Sequence, residues 1–330
     1  MWSIETDHVV PLCFVKPFEQ LMPYRERCLT EARQAARAGT RRRERSPVTG
    51  AALQPLGQVE GFEYLRCPDT GSVFLAELPP SATWIEVLGA VNRTRRSAET
   101  FHAGIAEQRQ EHVHSPKLEW IRSSLRMQGM ARPAALEVAT PPSEATRLLE
   151  DCGAFSRVTT VNEMELAAGR RPTGLDGIGA AVLFESLDRV DDPASLLEAV
   201  RGCLAPGGLL FVTALVCSGF DVAVLGLRNV YLYPPDRTNC FSLSGLEELL
   251  RRAGFALLEV STPGVLDVEI VQAHLRADPS LPLSDFERQL LAADGQTQQA
   301  FQTFLQQHRM SSFARIIGRT REGDGHREGS

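Results

Sequence analysis

Residues 178–215 decide the fold, and they read IGAAVLFESLDRVDDPASLLEAVRGCLAPGGLLFVTAL. The apolar run at 178–184 suits a strand that is buried on both faces of a parallel sheet. Residues 193–203 have the periodicity of a helix, and APGG then turns the chain into a second apolar strand at 209–215. A strand, a helix and a strand of these lengths predict one βαβ unit.

The same alternation extends in both directions along the chain. Short apolar segments predict further strands at 135–139, 157–161, 255–261 and 311–319. Helices are predicted at 143–151, 242–254 and 276–309. We therefore predict an α/β fold with a mostly parallel sheet, in which the last strand (311–319) pairs antiparallel beside 255–261.

The pattern differs before residue 132. Residues 17–45 predict a helix that runs into a group of arginines, which we interpret as a solvated helix end rather than an anion contact. Two turn signals, SPVTG and CPDTG, predict a hairpin within 46–80, and helical periodicity follows. We divide the chain into a helix with a ribbon-like hairpin, a helical connector, the α/β domain and a disordered tail, at residues 1–80, 81–131, 132–320 and 321–330.

Composition excludes several classes of protein. With 43% hydrophobic and 23% charged residues, the 330-residue chain is typical of folded globular proteins. Its net charge of −6 argues against a nucleic-acid partner, and no apolar run approaches the roughly 20 residues that span a bilayer. An odd number of cysteines, seven, at irregular spacing predicts reduced thiols and a cytoplasmic location. Lys16 and Lys117 are the only lysines, which we attribute to codon bias.

Three blocks carry a resemblance to a known family: SGFDVAVLG (218–226), PPDRTN (234–239) and STPGVLDVEIV (261–271). With them, most of residues 46–319 resembles the class I S-adenosylmethionine-dependent methyltransferases. The likeness is greatest to bacterial members associated with surface polysaccharides and sugar modification, which carry an N-terminal zinc ribbon. The resemblance implies a Rossmann-like sheet, S-adenosylmethionine as cofactor and a small, sugar-type acceptor.

The cofactor turn departs from the family's pattern. The family has Gly-x-Gly-x-Gly after the first strand. In this sequence, Ala139, Pro141 and Ser143 stand at the three glycine positions, shortly after Glu137. Proline has no N–H to donate, and its ring takes up the room that a ligand needs. The resemblance therefore implies a degenerate cofactor site with impaired binding.

The ribose-binding position is also changed. Asn162 stands where the family has an acidic residue after the second strand, so the paired charge-assisted hydrogen bonds are lost. Glu163, the next residue, could take this role if the strand ends one residue later.

The zinc ribbon is the third departure. The family's four cysteines correspond here to Ser46, Thr49, Cys67 and Thr70, so one thiolate remains. Hydroxyl groups are poor zinc ligands, and we expect no bound zinc. In the alternative, Cys67 recruits a histidine from His102, His112 or His114.

The acceptor side retains the family's pattern. Ligands of open α/β sheets sit outside the carboxyl ends of the strands, where the segments after 178–184 and 209–215 and the loop 233–239 should meet. Candidates for a catalytic carboxylate are Glu185, Asp221 and Asp236. Candidate acceptor contacts are Ser218, Phe220, Arg237 and Asn239. Asp267 resembles a family position, or is an exposed carboxylate at a strand end.

Two functions follow from these observations. In the first, the chain is a methyltransferase-like enzyme for a small sugar-type acceptor. In the alternative, it is a non-catalytic scaffold with the methyltransferase fold, or the partner subunit of an active enzyme. A nucleotide-dependent enzyme of another class lacks support, because no glycine-rich phosphate loop is present.

Overall fold

The computed structural model describes residues 10–96 and 104–321. His102, the middle of the predicted connector and nearly all of the predicted tail lie outside the described residues. Within the described residues, no helix has both the length and the apolar character of a membrane span.

The N-terminal part combines helices with a small antiparallel sheet. Its elements are α1 (Leu12–Val15), α2 (Phe18–Ala36), β1 (Arg41–Arg42), β2 (Gln54–Val59), β3 (Phe62–Arg66), β4 (Val73–Leu75), β5 (Glu77–Leu78) and α3 (Ser81–Arg96). Beyond residue 103 follow α4 (Ala106–Arg109), a π-helical turn (Gln110–His114) and α5 (Ser115–Met127).

The α/β domain follows with alternating strands and helices. Its strands are β6 (Ala134–Val138), β7 (Arg157–Val161), β8 (Ile178–Phe184), β9 (Leu204–Leu215), β10 (Asn239–Cys240), β11 (Phe255–Ser261) and β12 (Phe313–Thr320). Its helices are α6 (Ala145–Asp151), α7 (Glu163–Ala167), α8 (Pro193–Cys203), α9 (Phe220–Leu225), α10 (Leu243–Arg252), α11 (Asp267–Ala277), α12 (Asp285–Ala292) and α13 (Gly295–Gln307).

Six of these strands form one sheet in the order β11-β12-β9-β8-β6-β7. The pairs β6–β7, β6–β8 and β8–β9 are parallel, whereas β12 runs antiparallel to both of its neighbours, β9 and β11. The predicted fold class is confirmed, including the antiparallel last strand beside 255–261.

Side chains alternate between two cores, one on each face of the sheet, because successive strand residues point to opposite faces. Leu136 and Val212 belong to the larger core. Ala135 and Phe211 belong to the smaller core, together with Ile121 of α5. The last helix of the predicted connector therefore covers one face of the α/β domain.

The APGG segment is a bulge rather than the predicted turn. Strand β9 already begins at Leu204, which pairs with Ile178, and the ladder resumes where Leu209 pairs with Ala180. The extra residues leave the ladder, and Gly207 among them has a φ of +75°. Glycine adopts this left-handed conformation without the steric cost of a Cβ.

The predicted helical segment 276–309 contains parts of three helices, and the first of them begins earlier, at Asp267. The break between α11 and α12 contains two prolines, and Ser284 starts α12 with a capping box to Glu287. Asp267 is only 2% exposed, so its interpretation as an exposed strand-end carboxylate is wrong.

The hairpin of the N-terminal part is joined to the loop 233–239. Strand β10 pairs antiparallel with β4, so Asn239 lies opposite Phe74. The Tyr64 hydroxyl donates a 2.8 Å hydrogen bond to the Arg237 carbonyl. The ribbon-like hairpin therefore supports the loop in which acceptor contacts were predicted.

The arginines after α2 are only partly solvated. Arg42 is exposed and forms ion pairs with Glu63 and Glu77 across the small sheets. Arg43 is buried instead, and its guanidinium donates to the Asn239 side chain at 2.7 Å. The interpretation of this segment as a solvated helix end is wrong for Arg43.

We expect Gly219→Ala to destabilise the protein by about 3 kcal/mol, because a Cβ at this position would overlap the backbone of Ser312. Gly295→Ala is the matched control, since its Cβ would meet no atom within 4 Å. Urea unfolding of both variants measures the effect. Equal midpoints for the two variants would show that the α9 start can move away from Ser312.

Candidate ligand-binding cavity

A cavity of about 730 Å³ opens at the carboxyl ends of the parallel strands. The loops after β6 and β8 form part of its wall, and connections from these two strands leave in opposite directions along the sheet. This is the position at which open α/β sheets bind ligands. Residues of α1, α3 and α5 and the segment 263–267 complete the wall.

The Glu137 carboxylate at the end of β6 is saturated by hydroxyl groups of this chain. Its Oε1 accepts from Ser143 at 2.6 Å, and its Oε2 accepts from Thr146 at 2.5 Å and Thr160 at 2.7 Å. The side chain is 3% exposed and is not part of the cavity wall. Ser143, at the position of the family's third glycine, thus ties the loop back to the strand.

Other groups of this loop are also engaged. The Ala139 N–H donates to the Val161 carbonyl at 2.9 Å, and Pro141 has no N–H. The Thr140 carbonyl accepts from the Asn92 side chain of α3 at 2.7 Å. Helix α3 is therefore hydrogen-bonded to the loop.

Asn162 caps a helix. Strand β7 ends at Val161, and the Asn162 side-chain oxygen accepts from the backbone N–H groups of Met164 and Glu165. These two hydrogen bonds satisfy the first turn of α7. The amide oxygen at the predicted ribose position is thus already used.

Glu163 lies beside the cavity with one free oxygen. Its Oε1 accepts from the Thr140 hydroxyl at 2.6 Å, whereas its buried Oε2 has no hydrogen-bond partner among the described residues. Burial raises the pKa of Glu163.

Glu185 is at the centre of a group of cations. Its carboxylate contacts the Arg237 guanidinium at 2.7 Å and the Lys117 ammonium at 3.7 Å. Burial alone would raise its pKa, but Arg237, Lys117 and Arg189 hold the pKa of Glu185 well below the ordinary value. A carboxylate that is so strongly stabilised in its charged form is a weak general base.

Asp236 links the loop to α3. Both of its oxygens accept from Arg95, at 2.9 and 3.1 Å, and Arg189 lies 3.3 Å away. Burial would raise the pKa of Asp236, but the two guanidiniums outweigh it and lower the pKa. Asp236 lines the cavity as one partner of a buried ion-pair network.

Asn239 and its neighbour Asp188 have structural contacts. The Asn239 amide donates to the carbonyls of Leu187 and Val190, both at 2.7 Å. Asp188 accepts from the Leu215 N–H at 3.1 Å, and burial raises its pKa to about 7. Neither side chain is part of the cavity wall, and the two hydrogen bonds of Asn239 stabilise the loop 233–239.

The predicted residues that follow β9 also lie outside the wall. The Ser218 hydroxyl accepts from the Leu243 N–H at the start of α10, and the Phe220 ring packs edge-on against Phe301. Asp221 accepts from the Asn229 amide at 3.0 Å. Burial and the nearby Asp267 raise the pKa of Asp221 to about 7.

The four residues at the family's zinc-ligand positions lie together. Thr49 Oγ1 is 3.6 Å from Cys67 Sγ. Burial would raise the pKa of Cys67, but hydrogen bonds from Ser46, Thr70 and Thr49 outweigh it and lower the pKa. The described residues contain no group of three or more potential metal ligands. His112 and His114 line the cavity.

Sequence reasoning missed the cations and rings of the deeper wall. Lys16, Lys117 and Arg315 line the cavity beside Phe184 and Phe313. The scarcity of lysine, which we attribute to codon bias, is the signal in the sequence that singles out Lys16 and Lys117.

Residues 110–260 match a family model described as a methyltransferase domain. The match begins at the π-helical turn before α5 and ends in β11. The α/β domain thus has the Rossmann-like fold of class I methyltransferases. No curated protein matches the chain.

Several solved structures are similar to this chain at low identity. One is the 1,6-didemethyltoxoflavin-N1-methyltransferase of Burkholderia thailandensis, with 14% identity, a TM-score of 0.43, and coverage of 81% of this chain and 99% of that one. Another is described as a putative sarcosine dimethylglycine methyltransferase from Galdieria sulphuraria, with 15% identity, a TM-score of 0.40, and coverage of 63% and 86%. Likeness at this level identifies no substrate.

We expect Asp221→Asn to raise the melting temperature at pH 8 and to raise it less at pH 5. The pKa of Asp221 lies at about 7 in the folded protein, above the unfolded value of about 3.9, so ionisation costs stability as the pH rises towards 7. The amide avoids this cost, and we expect a gain of about 2–4 °C at pH 8.

Scanning calorimetry at both pH values measures this difference. Asp151→Asn, on the exposed surface of α6, is the control and should change the melting temperature little at either pH. A loss of stability in Asp221→Asn that is equal at both pH values would contradict the assignment.

Proposed function

We propose that this chain is a methyltransferase-fold protein that binds a small molecule in its cavity without using S-adenosylmethionine in the family's ordinary way. It then acts as a non-catalytic binding protein or as the partner subunit of an active enzyme. The single observation that carries this proposal is the saturated Glu137 carboxylate.

The hydrogen bonds of Glu137 oppose an ordinary cofactor pose. A ligand at the loop would have to displace Ser143, and it would then face a carboxylate whose other oxygen already accepts from Thr146 and Thr160. Hydrogen bonds to charged groups contribute about 1.5–3 kcal/mol each. These contacts support the proposal that the loop does not hold the cofactor in the family's ordinary way.

The remaining cofactor positions support the same conclusion. Pro141 removes a backbone donor, and the Asn162 oxygen is used in capping α7. Two or three lost hydrogen bonds together cost about 3–6 kcal/mol, and each 1.4 kcal/mol is a factor of ten in affinity. A micromolar site would become millimolar or weaker.

A second candidate is an active methyltransferase for a small, sugar-type acceptor. The free Oε2 of Glu163 favours it, because this buried oxygen beside the cavity could bind a ribose hydroxyl. The two candidates differ in one measurable property, which is the affinity for the cofactor.

The proposal also includes a cytoplasmic location. All seven cysteines are free, and Cys217 and Cys240 lie close enough to interact without forming a disulfide. Free thiols in such number are typical of proteins in a reducing compartment.

We expect calorimetric titration of the protein with S-adenosylmethionine and with S-adenosylhomocysteine to give dissociation constants of about 1 mM or weaker. The variant that combines Ala139→Gly, Pro141→Gly, Ser143→Gly and Asn162→Asp restores donors and room, and should bind at least about tenfold more tightly.

Ser156→Gly, in an exposed loop, is the control and should titrate like the unmodified protein. Low-micromolar binding by the unmodified protein would overturn the proposed function in favour of the active methyltransferase.

A further inference from the structure

The two lysines of the chain line the same cavity. Lys16 lies just after α1 and Lys117 lies in the first turn of α5, about a hundred residues apart in sequence. Codon bias explains why the other basic residues are arginines, but it does not explain why both lysines line one cavity. An ammonium group is a compact charge whose pKa shifts readily on burial, and this distinguishes it from guanidinium.

Lys117 has little charge compensation. Its side chain is 6% exposed, and its Nζ lies 4.8 Å from the centre of the Phe184 ring and 5.2 Å from that of Phe313. Its carboxylate contact is Glu185 at 3.7 Å, and that carboxylate is already bound by Arg237 at 2.7 Å.

The buried positive charge of Arg315 is compensated even less than that of Lys117. Arg315 is 6% exposed, with its guanidinium 5.6 Å from the Trp120 ring centre and 6.0 Å from that of Phe313. The Glu259 carboxylate, which accepts from the Trp120 ring N–H, partly offsets the effect of burial on the pKa of Arg315, but no carboxylate of the described residues lies within ion-pair distance of this guanidinium. The buried Nε of Arg315 has no hydrogen-bond partner among the described residues. A buried guanidinium without an acceptor is costly unless a ligand completes it.

Lys117 and Arg315 therefore flank the Phe313 ring, and both form part of the cavity wall. We call these two residues the cation pair. Burial lowers the pKa of Lys117 to about 8 and that of Arg315 to about 10. Arg315 also contributes to the lowered pKa of Lys117, because the two positive charges repel each other.

Apart from Glu185, no carboxylate of the wall lies within ion-pair distance of the cation pair among the described residues, although the charge of Glu144 acts on Lys117 from further away. Glu144 pairs with Arg109 and His114. Asp236 binds Arg95 and Arg189, Glu163 accepts from Thr140, and Asp267 accepts from Ser311, Ser312 and Gln302. Glu111 is exposed, beside His112.

We propose that the cation pair, Lys117 and Arg315, holds the anionic group of a small molecule whose apolar part packs against Phe184 and Phe313. The group is a carboxylate or a phosphate monoester, since a guanidinium fork and an ammonium together match either oxygen set. Lys16, over the Tyr231 ring at 4.6 Å, adds a third positive charge further along the wall. This inference rests on the proposed function, because it names the ligand class of the same cavity.

The test titrates the purified protein with benzoate and with phenyl phosphate, and uses neutral benzyl alcohol as the uncharged comparison. We expect both anions to bind and benzyl alcohol to bind at least tenfold more weakly. The tighter of the two anions identifies the carboxylate or the phosphate as the preferred group. Failure of both anions to bind overturns the inference.

Two variants connect the binding to the cation pair. Lys117→Met and Arg315→Met retain apolar bulk. Each should weaken the binding of the more tightly bound anion about tenfold and leave the affinity for benzyl alcohol unchanged. Arg252→Met is the matched control, because Arg252 is exposed on α10 and pairs with Glu248. Unchanged anion affinity in both cavity variants overturns the inference.

Lysine acetylation gives a readout that needs no variant. Since the chain has only two lysines, peptide mass spectrometry follows Lys117 directly at pH 8, near its pKa of about 8. We expect the more tightly bound anion to slow the acetylation of Lys117 several-fold, whereas benzyl alcohol should leave the acetylation rate unchanged. Equal acetylation rates with and without the saturating anion overturn the inference.

These outcomes separate the inference from the proposed function. If S-adenosylhomocysteine binds with low-micromolar affinity while the anions still depend on Lys117 and Arg315, the proposed function fails and the cation-pair site stands. If the cofactor does not bind and the anions do not bind either, the proposed function stands and the cation-pair site fails.

Discussion

The hydrogen bonds of Glu137 are the constraint on which the cavity depends. A buried carboxylate is costly unless donors surround it. Here the donors come from the loop, from α6 and from β7, through Ser143, Thr146 and Thr160. One side chain therefore joins three elements at the point where the sheet's connections diverge. The loop after β6 corresponds to the family's cofactor-binding loop. Here its conformation is stabilised by the hydrogen bond that its own Ser143 donates to Glu137.

On the opposite side of the cavity, the N-terminal hairpin stabilises the loop 233–239. Arg43 binds Asn239, and Tyr64 binds the Arg237 carbonyl, while β4 pairs with β10. This support positions the Arg237 guanidinium against Glu185. Two of the three predicted catalytic carboxylates, Glu185 and Asp236, are held in ion pairs. Together with the contacts of Glu137, these ion pairs support the proposal that the cavity binds a small molecule.

Much of the sheet could be predicted from the sequence, because strand and helix periodicity is a local property. The strands at 157–161 and 178–184 were predicted at their observed bounds. The bulge in APGG was missed, since it depends on the register with β8. The site was harder to predict, because its contacts join distant residues. Asn239 was placed correctly in its loop, yet its partner Arg43 lies 196 positions earlier, and no local pattern reveals such a contact.

The most direct test of the central claim is a crystal structure of the full chain from crystals grown with saturating S-adenosylhomocysteine. Our account predicts that the hydroxyls of Ser143, Thr146 and Thr160 still donate to Glu137, and that no nucleoside density lies between the loops after β6 and β7. An adenosyl group bound against the β6 loop, with the Ser143 hydroxyl turned away from Glu137, would contradict it.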